Sequence, residues 1–162
     1  MRKQRGFSLI ELLIVVAIIL IIAAIAIPNL MHARMAAYES SAVESLRTIN
    51  TAEITYSSTY PSVGFAPTLT ALGGVTPCVP NSTTACLIDS VLAGGVKSGY
   101  NFAAIGSGGP PATTYYATAV PVTLNQTGTR SFCSFEDGVI RVQPAGTAIA
   151  SEAACEALLP LQ

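Results

Sequence analysis

FSLIELLIVVAIILIIAAIAIPN, residues 7–29, is apolar from Phe7 to Ile27 apart from Ser8 and one carboxylate, Glu11. A helix of about twenty residues spans roughly 30 Å, the hydrocarbon thickness of a bilayer. A charge at mid-membrane costs on the order of 3 kcal/mol. Glu11 lies near one end, where the cost is smaller and the helix dipole favours negative charge. It still calls for a compensating partner.

Working outward, Arg2, Lys3 and Arg5 precede the run. By the positive-inside rule they stay in the cytoplasm and everything after Pro28 is exported. The chain has 162 residues, a net charge of −1, 51% hydrophobic and only 10% charged residues. Beyond Pro28 its cations are Arg34, Arg47, Lys97, Arg130 and Arg141, too widely spaced to form a nucleic-acid-binding patch. Cys78, Cys86, Cys133 and Cys155 all lie in the exported part, where thiols oxidise. Four cysteines allow three pairings. Cys78–Cys86, closing a short loop, and Cys133–Cys155, tying the last segment to a predicted strand, are the favoured ones. Zinc is disfavoured, because no CxxC spacing exists and the single histidine, His32, lies beside the apolar run.

Three readings compete for the opening. A secretory signal peptide accounts for the basic residues and for the small-x-small triplet Ala24-Ile25-Ala26, but the run is long and Glu11 interrupts it. A plain anchor accounts for the length and leaves Glu11 unexplained. Cleavage on the cytoplasmic side, between Gly6 and Phe7, leaves the helix attached and creates an α-amino group one helical turn from Glu11. Paired within one chain, ammonium and carboxylate merely lower the insertion cost; paired between neighbouring chains, they favour one axial register, because an unpaired carboxylate in apolar surroundings is expensive.

RGFSLIELLIVVAIILIIAAIAIPN, residues 5–29, resembles the prepilin leader and N-terminal helix of the type IV pilin superfamily, which includes type II secretion pseudopilins. The resemblance implies cleavage after Gly6 by an inner-membrane prepilin peptidase and N-methylation of Phe7, which keeps the amine cationic. It further implies that Glu11 meets the N-terminus of an adjacent subunit during assembly. Many members carry a helix-breaking glycine in mid-run; here the residues are Ile19-Leu20-Ile21, and Pro28 is the one clear weak point.

Pro28 removes a donor and is expected to kink the helix rather than end it. Beyond it Met35, Tyr38, Ala42, Leu46, Ile49, Ala52 and Tyr56 recur at spacings of three and four, predicting an amphipathic continuation that packs on the domain's own sheet. Arg34, Glu39, Glu44, Arg47 and Glu53 are expected around the remaining surface, and Tyr60-Pro61 to stop the helix. The expected divisions are 1–6 leader, 7–28 apolar helix, 29–58 amphipathic helix, 59–97 connection, and 98–162 antiparallel sheet with a disulfide-closed end. Within the connection, 67–72 and 89–93 predict single helical turns. Residues 100–103, 115–122, 130–135 and 139–142 read as strands, with a hairpin turn at Asp137-Gly138 and Ser151 capping a terminal helix to Leu159. The fold class is α+β.

Chemistry is sparse. One histidine excludes a Ser-His-Asp or Cys-His site in the body. Glu136 and Asp137 fit hairpin chemistry better than a calcium loop, which needs six to eight oxygens. Asn81-Ser82-Thr83 and Asn125-Gln126-Thr127 match the N-glycosylation sequon and indicate surface exposure. Residues 106–111 lack the lysine and following helix of a phosphate cradle. No enzyme, cofactor or metal is expected. The reading is a type IV pilus subunit, a helical homopolymer, held in the inner membrane before assembly. Its partners are itself, the prepilin peptidase and methyltransferase, and the inner-membrane assembly machinery, with an extracellular filament as destination. The alternatives are a type II secretion pseudopilin or a minor, tip-located pilin acting as a binding module.

Overall fold

The computed structural model describes residues 7–75 and 77–161. The chain divides into two units, Met1–Arg34 and Met35–Gln162. The expected cleavage residue Gly6 and the basic leader lie outside the described residues.

One helix, α1 (Leu9–Thr59), supplies the described secondary structure of the first unit and the opening of the second. Pro28 lies inside α1, which continues to Thr59. A proline removes one i→i−4 bond, and the neighbouring turns keep theirs. Within the first unit the large apolar side chains from Phe7 to Leu30 are 46% to 82% exposed. This part of α1 is long and apolar enough to cross a membrane.

In the second unit α1 buries Met35, Ala42, Leu46, Ile49, Ala52 and Tyr56, the stripe that the three-and-four spacing predicts. Short helical turns follow at α2 (Leu69–Leu72) and α3 (Ser90–Ala93). Asp89 caps α3, its Oδ1 accepting from Val91 N and Leu92 N. Six strands then form one antiparallel sheet in chain order: β1 (Val96–Lys97), β2 (Tyr100–Ser107), β3 (Thr114–Pro121), β4 (Ser131–Phe135), β5 (Arg141–Gln143) and β6 (Leu159–Pro160). A fourth helix, α4 (Glu152–Glu156), precedes β6, with Ser151 Oγ accepting from Ala154 N as its cap.

The core lies between α1 and the sheet. On β2, Tyr100, Phe102 and Ala104 are buried while Asn101, Ala103 and Ile105 are exposed, so one face packs and the other meets solvent. β4 is buried at every position. Phe132 joins the α1-facing core, and Cys133 and Phe135 form a second cluster with Ile149 and Cys155. Cys133 is bonded to Cys155, Cα–Cα 6.0 Å, fixing α4 to β4. Cys78 is bonded to Cys86, Cα–Cα 6.2 Å.

Several elements differ from expectation. β2 runs to Ser107, because its register with β3 extends from Tyr100↔Pro121 to Ser107↔Thr114. β5 starts at Arg141 rather than Val139, since the Asp137 carboxylate accepts from Val139 N and from the Arg141 guanidinium and prolongs the turn. α4 ends at Glu156, because Leu159 and Pro160 pair with Val142 and Arg141. The connection is more than a linker: Ala66, Leu69, Leu72, Ile88 and Leu92 belong to the core. Glu39 and Glu53, expected on the surface, are 7% and 0% exposed.

Candidate functional site: the N-terminal helix and its carboxylates

α1 carries Glu11, Glu39 and Glu53, each in a different setting. Glu11 lies in the first turn and is exposed. Its Oε2 accepts from Ser8 N at 2.9 Å, three residues back. That is the carboxylate half of a capping box, in which the side chain at the third helical position satisfies the N–H of the capping residue. The pattern Ser8-Leu9-Ile10-Glu11 was readable in the sequence, but the apolar setting draws attention to the charge and away from the cap. Phe7 precedes the helix and is 82% exposed. Pro28 and His32 are also exposed. Thus Phe7 and Glu11 are close along the chain, while the cysteine pairs lie in the second unit.

Glu39 is buried with a full set of donors. Its Oε1 accepts from Thr129 N (2.9 Å), Thr129 Oγ1 (2.9 Å) and Arg130 N (3.2 Å). Its Oε2 accepts from Arg130 Nε (2.9 Å) and its terminal nitrogen (2.7 Å). Burial pushes the Glu39 carboxyl up, but the donors from Thr129 and Arg130 together outweigh it and hold the acid below its ordinary value. The result anchors the β3–β4 loop to α1. Beside it a groove of about 430 Å³ is lined by Val43, Arg47, Arg130, Phe132 and Leu161 among others.

Glu53 is the converse. Its Oε2 accepts from Ala66 N at 2.8 Å, and Oε1 has no partner. Burial pushes its carboxyl up to about 7 against that single backbone bond. Neither carboxylate was legible as buried, because polar positions within an apolar stripe reveal no donors. Asn50 sits nearby on α1, its Oδ1 accepting from Tyr115 Oη (3.2 Å) and Ser134 Oγ (2.7 Å). Among the described residues, no group of three or more His, Cys, Asp or Glu side chains is placed to hold a metal.

A membrane-length helix with an acidic first turn continues into an α+β unit. Residues 1–27 match the family model described as the prokaryotic N-terminal methylation motif. The chain is 44% identical over 72 residues to the type IV major pilin protein PilA of Myxococcus xanthus, covering 40% of this chain and 33% of that protein. It is 60% identical over 40 residues to the type IV wide pilus major component PilA4 of Thermus thermophilus, covering 25% of this chain and 30% of that one. The chain thus spans about a third of the length of the curated relatives it matches. No solved structure matches it. Together these findings support the type IV pilin superfamily.

Proposed function

We propose that this chain is a structural subunit of a type IV pilus, a homopolymer assembled through its N-terminal helix after cleavage at Gly6 and N-methylation of Phe7. The observation that carries the reading is the uncovered apolar helix, whose large side chains from Phe7 to Leu30 are at least 46% exposed. So much apolar surface is compatible with water only if a bilayer or further copies of the chain cover it. A bilayer holds the subunit before assembly, and neighbouring helices replace it afterwards. Heterologous contacts of this kind extend without closing, as a filament requires. Glu11 then has two successive partners: Ser8 N within its own chain, and the cationic Phe7 terminus of a neighbour in the filament.

The same reading assigns the prepilin peptidase, the methyltransferase and the inner-membrane assembly machinery as partners, and a role without catalysis. The test is electron microscopy of filaments sheared from cells making this chain, with mass spectrometry of their subunits. Filaments composed of this chain and beginning at N-methyl-Phe7 are expected. Its presence only in the membrane fraction, with surface filaments made of another subunit, overturns the reading.

A further inference from the structure

We propose that Glu53 is a pH-sensitive latch: uncharged, it holds the segment 60–66 against α1, and on ionisation it loosens that segment together with the loop end of the β2–β3 hairpin. The geometry is that of a carboxyl placed where a charge has no support. The side chain is fully buried, Ala66 N is the one donor it receives, and Oε1 meets none. A buried carboxylate normally collects two or three donors or a cation, as Glu39 does on the same helix.

The titratable groups facing it do not help. Tyr56 on α1 spends its hydroxyl on the carbonyl of Ser82, and Tyr115 on β3 spends its own on Asn50. Burial first, and the facing Glu53 charge second, push both phenols up, which keeps them neutral. Tyr60 packs on Tyr56 with its ring tilted, the centroids 4.9 Å apart. The charged groups that act on Tyr115 from the β4–β5 turn, Glu136 and Asp137, are acidic like Glu53 itself. No Lys, Arg or His is paired with Glu53 among the described residues.

The segment that Glu53 holds is only partly buried. Pro61 and Ser62 are exposed, and Val63 and Phe65 half-buried. The segment in turn ties down the hairpin: Phe65 N donates to Ala112 O (3.1 Å), Ala112 N to Val63 O (2.8 Å) and Gly106 N to Ala66 O (3.0 Å). One carboxyl therefore governs two surface segments distant in sequence.

The sign follows from linkage. Released, Glu53 titrates near its ordinary 4.5; closed, near 7. The closed state is fully favoured below the lower value and loses ground as pH rises to the upper one. Opening should increase about tenfold per pH unit across this window and level off above it. Amide hydrogen exchange on the full chain in detergent, corrected for intrinsic rates, reads this at Ala66, Ala112 and Gly106. Protection is expected to fall by more than a hundredfold between pH 4.5 and 7.5 in the wild type and to be flat in Glu53→Gln. Flat protection in the wild type, or an undiminished fall in the variant, overturns the proposal. A carboxyl-carbon NMR titration of wild-type Glu53 decides the matter even where the variant fails to fold: a midpoint near neutrality supports the latch, and an ordinary carboxylate midpoint overturns it. Neither readout depends on filament formation, so failure here leaves the filament reading standing, and the reverse holds too.

Discussion

Glu39 and Glu53 are both buried on α1, yet their acidities move in opposite directions because their donors differ. For Glu39 the folded value is depressed, so its contribution to stability is present above the ordinary 4.5 and is lost as pH falls through the folded value. Glu39→Gln should lower stability at pH 7 by roughly 1–3 kcal/mol, the usual worth of hydrogen bonds to a charged acceptor, and should flatten the acid limb of the curve. Thermal unfolding across pH 2–7 (roughly the range in which carboxylates titrate) checks both; an unchanged acid limb contradicts the account. Glu11 poses a different question, since two roles share one carboxylate. Gln keeps an acceptor for Ser8 N and loses the charge, whereas Ala loses both. With either replacement the protein should reach the membrane, because removing a charge lowers the insertion cost. Glu11→Gln should nevertheless fail to assemble, and comparing membrane subunit with sheared filament measures it. Normal filament yield with Gln would leave Glu11 as a helix cap alone.

The elements divide by how much of their cause is local. α1 was legible because its signals are in its own residues: an apolar run, then a stripe from Met35 to Tyr56 at spacings of three and four. Residues 115–122 and 130–135 were legible as strands, within a residue of β3 and β4, and the Asp137-Gly138 turn too, with Gly138 at φ +70. The two-residue strands β1 and β6 were not, since Val96–Lys97 and Leu159–Pro160 are strands only by virtue of the neighbour they pair with. The donors around Glu39 and the single one at Glu53 are likewise tertiary facts. Of the candidate site, the lone carboxylate at Glu11 is legible in composition, and the Ser8-x-x-Glu11 spacing carries its hydrogen bond to Ser8 N. At this scale α4 offers a test. It adds few apolar contacts of its own, with Cys155 its one buried residue, and Cys133–Cys155 fixes it to β4. Replacing both cysteines by serine should cost about 2–4 kcal/mol. Hydrogen exchange should show protection lost in α4 and β6 while β2 and β3 keep theirs. Uniform loss across the sheet would assign the disulfide a global role instead.

For the whole molecule, the first event under the proposed function is processing. A bulky residue in place of Gly6 should leave a full-length precursor in the membrane and no filaments, whereas the wild-type chain should begin at N-methyl-Phe7. Terminal sequencing of both fractions checks this; a terminus at Ile27 would instead indicate an ordinary signal peptide. The second consequence comes from the sheet. Its strands lie side by side in the order in which the chain presents them. A meander contains no pairing that must wait for a distant partner, so loop-closure entropy is met in small instalments and folding is fast for a β-rich unit. Each strand, on leaving whatever channel delivers it, finds the preceding strand already in place. The helix fares differently. It is made first, and its stripe from Ala42 to Tyr56 stays uncovered until β2, β3 and β4 arrive to close over it. During that interval the nascent chain carries a sticky ridge, and the speed with which the meander grows decides how long a neighbour has to seize it.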